Sequence, residues 1–413
     1  MPRPLPPPAP RTRWSAPVVA ACATALLATG CAADSAADSP AGTTGAGPAP
    51  TGGHGYVAGA EELGEPQLQL THLDEAGSVH ALDLLTGESA PVGEVGRTDA
   101  VASDGRFLFT SGPAGRLSVV DTGTWTVDHG DHVHYYRAPA RVVGTLAWSG
   151  EVRAASSETL TALFSPTTGA GVVLDRAALG QGEIETVATS AGVPHDGALV
   201  PLGSRVVATG PASVEVREDG GDPTGTEAPC TDPRGGAATR VGVVVSCADG
   251  AVLATETAEG VTLERIPYPS PVADGDRAVS LANRAGRPVL AAPAGQHGVW
   301  LLDTRARSWQ LVPTATPWAQ AVAADDAQDR VVGLDTGGRV VVLEPATGAL
   351  AATEPLVAPD QVADVVLQVD ADRAYLNVPD QDQLVEVDYA DGARLARTFP
   401  TAVTPDHLAE TGR

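Results

Sequence analysis

The sequence predicts an all-β chain, a β-propeller of eight blades with seven as the alternative, closed by its C-terminal strand. Three observations predict this. A short Val/Leu/Ala run, an acidic or polar residue and a Gly-containing turn recur along the chain, as in Val79–Asp83, Leu117–Asp121, Val214–Arg217, Val252–Thr255, Val341–Glu344 and Val385–Asp388. Their spacing of roughly 38–52 residues suits a blade of four short strands. Second, apolar residues alternate with a strand period, and no sustained helical stripe follows the N-terminal apolar run. Third, the first unit begins abruptly at Gln67–Thr71, as if it lacked its innermost strand, while His407–Thr411 trails after the last unit. A chain of short strands must hide its sheet edges, and a ring whose last strand completes its first blade does so.

Taken in order, residues 1–31 read as a targeting segment. Arg3, Arg11 and Arg13 precede an apolar run from Ala16 to Leu27, which is too short to span a bilayer. The residues Ala28-Thr29-Gly30-Cys31 resemble a bacterial lipobox, which implies cleavage before Cys31 and a lipid on it. Residues 32–65 are Gly, Ala, Ser, Thr, Pro and Asp with little to bury, and read as a flexible tether carrying a lone His54. The propeller is expected over 66–413. With the signal removed and Cys31 lipidated, Cys230 and Cys247 remain; in an exported domain a disulfide is the natural pairing and thiolate metal ligation its rival.

A net charge of -25 excludes nucleic acid and acidic lipid as partners and favours cations. Contact with the membrane is expected only through the lipid, on the outer face of the cell membrane, with the protein a monomer. No phosphate loop, nucleophile elbow or His-Glu-x-x-His helix is present, so a non-enzyme is expected.

The densest stretch of possible ligands is Asp128-His129-Gly130-Asp131-His132-Val133-His134-Tyr135-Tyr136-Arg137, with three of the nine histidines. Imidazole and carboxylate at this spacing suit Zn²⁺. In a propeller the connection into each inner strand opens on one mouth of the channel. Taking this stretch as the one ahead of blade three, the same mouth receives Asp99, His195 and Asp196, Asp232 and Arg234, Asp274, Trp318, Asp360, and His407. His132, His134, His195 and His407 would then form a zinc site, with Asp128, Asp131 or Asp196 as further ligand or orienting carboxylate. His129 stands just outside it. Arg234 would pair with Asp232 or hold an anion.

These residues carry a resemblance: the Asp128–Arg137 stretch, Pro194-His195-Asp196-Gly197, Cys247-Ala248-Asp249-Gly250 with Cys230, and the closing His407–Arg413 resemble the AztD family of extracytoplasmic zinc metallochaperones. The resemblance implies delivery of Zn²⁺ to the solute-binding protein of a zinc ABC transporter. Arg234 stands where that family would carry His. Two other classes stay open, a metal-dependent propeller hydrolase or lactonase and a non-catalytic scaffold that binds protein on its rim.

Overall fold

The computed structural model describes Val57 and residues 59–128 and 132–413. The targeting segment, Cys31, His54, His129 and Asp131 lie outside the described residues. Among the described residues, eight antiparallel blade-like sheets follow one another along the chain, and Glu61–Leu63, Val133–Arg137 and Thr124–Asp128 form a ninth, three-stranded sheet. Seven of the eight have four strands. The sixth has Val289–Pro293, Val299–Asp303 and Ser308–Val312, and its inner position is held by an isolated bridge from Ala282 to Ala291.

The ring closes as the sequence predicts. The strand His407–Thr411 pairs antiparallel with Gln69–Leu73, in a register that sets Leu73 against His407 and Gln69 against Thr411. Alternation along this closing strand sends successive side chains to opposite neighbours. Leu408 packs with Leu70, Tyr375 and Phe399 between the first and eighth blades. Ala409 packs with Leu73, Leu108 and Val120 between the first and second. Gly412, just beyond, has φ +98°, and a Cβ there would lie 2.2 Å from the Gln67 carbonyl oxygen, so only glycine fits the turn.

The core is built between blades. Each of the eight buried apolar clusters draws its residues from two neighbouring sheets; one joins Val200, Val207 and Val214 to Val243, Val245 and Val252. Each blade is therefore buried on both faces, which explains its near-continuous Val/Leu runs. Cys230 and Cys247 form a disulfide across the start of the fifth blade, within one of these clusters; the thiolate-ligand alternative does not apply to them.

The interface between blades one and eight also buries titratable groups. Glu410 on the closing strand is fully buried, with the Asp370 carboxylate beside it and Arg413 as its ion-pair partner. Burial raises its pKa to about 7, against the opposing pull of Arg413 at 3.3 Å. In the unfolded chain Glu410 loses its proton near the ordinary value of 4.5. Between these two values the folded state holds more protons, so this group removes stability as pH rises through that window. The variant E410Q is therefore expected to be more stable than the parent at pH 8, by up to about 3 kcal/mol, and to lose that advantage below pH 4.5. Denaturant unfolding at the two pH values checks it. His72, also buried, runs the other way: burial lowers its pKa to about 4, so it removes stability as pH falls below its ordinary 6.5.

Candidate functional site

The histidine stretch does not enter an inner strand. The second blade is Ala100–Ser103, Phe107–Ser111, Arg116–Asp121 and Arg141–Ala147, and the strands Thr124–Asp128 and Val133–Arg137 are a hairpin inserted between its third and outermost strands. The third blade's inner strand is Arg153–Ser156, ahead of which stand Glu151 and Val152. The expected placement of His132 and His134 ahead of blade three is thus corrected. Antiparallel order then fixes which end of the ring the hairpin occupies. The third strand of a blade runs in the same sense as the inner strand, so a link from third to fourth leaves at the end opposite the mouth. Contacts agree, because Thr126 Oγ1 donates to the Gly412 carbonyl 2.7 Å away, just past the end of the closing inner strand. Arg137 reaches Asp83, which ends the third strand of blade one.

The hairpin is organised by strand alternation. His132, His134 and Tyr136 are two apart and share one side. The rings of His132 and His134 meet edge to face at 4.9 Å, and His134 stacks on Tyr136 at 6.1 Å. Tyr136 is buried, stacked on its cross-strand partner Trp125 at 5.3 Å, and anchors the row. Among the described residues its hydroxyl has no hydrogen-bond partner. The register sets Val127 against His134 and Asp128 against Val133, so Asp128 occupies a position on the other side of the hairpin from His134.

A carboxylate that sequence reasoning missed completes this group. Glu61–Leu63, within the stretch read as tether, forms a strand that pairs with Val133–Arg137, setting Glu62 against Tyr136. From there Glu62 reaches the diagonal neighbour, and its Oε1 lies 2.6 Å from His134 Nδ1. The carboxylate can only accept, so Nδ1 donates in this contact. Two imidazoles and an oriented carboxylate are a borderline-cation donor set. Among the described residues no group of three or more His, Cys, Asp or Glu side chains is arranged to hold a metal ion. The residues at the hairpin tip, His129 and Asp131, lie outside the described ones.

Asp196, Asp232 and Arg234, expected at the mouth, bind one another and the neighbouring Arg153 and Arg277. Arg234 Nη1 meets Asp196 Oδ2 at 2.7 Å and its Nη2 meets Asp232 at 3.2 Å. Arg277 meets the same Asp232 at 2.7 Å, and Arg153 approaches Asp196 from the other side at 3.8 Å. Partial burial by itself would raise the Asp232 pKa, yet hydrogen bonds from Arg277 and Arg234 hold it below the ordinary carboxylate value. These alternating charges tie blades three to six together beside a channel cavity of about 440 Å³ lined by Ser103, Arg153, Arg234 and Ser246. A cation there would meet guanidinium groups.

His195 is held within its loop. Its Nδ1 donates to the Val193 carbonyl at 2.8 Å, its Nε2 lies 2.9 Å from Thr209 Oγ1, and its ring meets Phe164 edge-on at 5.0 Å. His407 opens the closing strand; burial lowers its pKa, while Asp406, Glu75 and Asp99 pull the other way. The expected joint site of His132, His134, His195 and His407 is not formed, because the first two stand at the end of the ring away from the mouth. Replacing His195 with alanine is accordingly expected to leave metal uptake unchanged and to cost about 1–2 kcal/mol of stability through its lost hydrogen bonds. Paired titration and thermal melts check both parts.

No family model matches the chain, and no curated protein matches it. Among solved structures, the crystal structure of AztD from Citrobacter koseri superposes with a TM-score of 0.72 at 17% identity, covering 84% of this chain and 98% of that one. Apo AztD from the same organism gives 0.71 at 18%, with the same coverage. The dihydro-heme d1 dehydrogenase NirN, in complex with DHE, gives 0.51 at 16%, covering 84% of this chain and 75% of that one. The blade order, the closing strand and these likenesses together make the chain a β-propeller with the fold of AztD along nearly that protein's whole length.

Proposed function

We propose that this chain is a zinc metallochaperone that binds Zn²⁺ on the inserted hairpin and passes it on without catalytic turnover. The observation that carries the reading is the group His132, His134 and Glu62 on an outlying hairpin at one end of the propeller. The fold of AztD, whose family the sequence resembles, supports it. Zinc is cargo here. A shallow site of imidazole and carboxylate exchanges ligands readily, because an incoming His or Glu can approach before the old ligands leave. His134 retains 25% of its side-chain exposure and Glu62 56%, which leaves such an approach open.

The acceptor in this reading is the solute-binding protein of a zinc ABC transporter. The chain works outside the cytoplasmic membrane, held there by a lipid on Cys31, as a monomer. The acidic chain draws cations and a basic patch on an acceptor toward it. Competition against a graded series of zinc chelators tests the proposal. Near-stoichiometric zinc retained against a moderately strong chelator supports it, and no uptake at any chelator strength overturns it.

A further inference from the structure

We propose that the strand Glu61–Leu63 is a clasp whose docking on the hairpin is thermodynamically coupled to metal occupancy. This rests on the zinc reading above and adds a means of regulating that site. The strand is three residues long, pairs among the described residues on one side only, with Val133–Arg137, and exposes both of its glutamates. So short an edge strand has little ladder to offset the entropy of ordering it. Its side-chain tie is the 2.6 Å contact from Glu62 to His134.

That tie runs through a prospective ligand. With Nδ1–H of His134 donated to Glu62, a zinc ion on Nε2 would draw electron density from the ring and strengthen the charge-assisted bond on the opposite nitrogen. Metal binding therefore favours the docked strand. By reciprocity, docking tightens metal binding by the same factor. The segment immediately ahead of the propeller thus becomes part of the zinc site, and a partner that draws Glu61–Leu63 off the hairpin would loosen the cargo.

The test uses the full chain and its E62Q variant, each titrated with zinc and followed by hydrogen exchange at the amides of residues 61–63. Zinc is expected to slow exchange at these amides in the parent by about tenfold or more. E62Q is expected to lose that slowing and to bind zinc about 10–100-fold more weakly, the usual effect of removing an orienting carboxylate. If the parent binds zinc but E62Q binds it equally well, or if zinc leaves exchange at 61–63 unchanged, the clasp is overturned and the zinc reading stands. If the parent binds no zinc, both fall.

Discussion

Replacing His132 and His134 together with alanine is expected to weaken zinc binding by about 100-fold or more, since losing even an orienting group from such a site costs 10–100-fold. Both imidazoles sit on one side of the hairpin with rings 4.9 Å apart, so their removal leaves Glu62 with no nitrogen partner there. The fold should not notice. His132 is exposed and His134 half-buried, and neither belongs to an inter-blade cluster. The cost is chiefly the lost His134–Glu62 bond, about 0.5–1.5 kcal/mol, too little to unfold the ring. Chelator competition beside a thermal melt separates loss of the site from loss of the protein. A double variant that unfolds, or one that binds zinc like the parent, would contradict this account of the hairpin.

The second large effect concerns the closing strand. Deleting residues 407–413 is expected to prevent folding into a soluble monomer. The strand contributes five paired positions to Gln69–Leu73 and sends Leu408 into one inter-blade cluster and Ala409 into another. Thr71 and Thr411 share a hydroxyl hydrogen bond at 3.1 Å, and Gly412 ties the hairpin down through Thr126. Without it Gln69–Leu73 becomes a bare edge and two clusters open to water, which invites edge-to-edge association. Size-exclusion chromatography and circular dichroism of the truncated chain test this. The graded change Leu408→Ala should cost about 2–5 kcal/mol as a large-to-small core substitution. A soluble, cooperatively melting truncation would show that the ring does not need its clasping strand.

The blades were legible because both faces of each are buried, so their middle strands leave apolar runs, and the acidic turn residues mark the ends. The closure was legible because Gln67–Thr71 had no preceding partner. The hairpin was misplaced for a physical reason. Thr124–Asp128 and Val133–Arg137 alternate like any other strand pair, and alternation says nothing about whether a pair belongs to a blade or protrudes from it. Only the pairing of Arg141–Ala147 with Arg116–Asp121 reveals that the blade's outer strand comes later. Glu62 was hidden by composition, since three residues at the end of a Gly- and Ala-rich stretch carry no periodicity. The roles of His195 and Arg234 depend on neighbours such as Thr209 and Asp196 that spacing does not bring together.

The central claim is that the cargo sits on the hairpin and not at the channel mouth. Anomalous diffraction at the zinc edge from crystals of the zinc-loaded protein tests it most directly. The account predicts a peak within coordination distance of His132 and His134, at the end of the ring where Gly412 meets Thr126. A peak beside His195 or His407, with none at the hairpin, would contradict it.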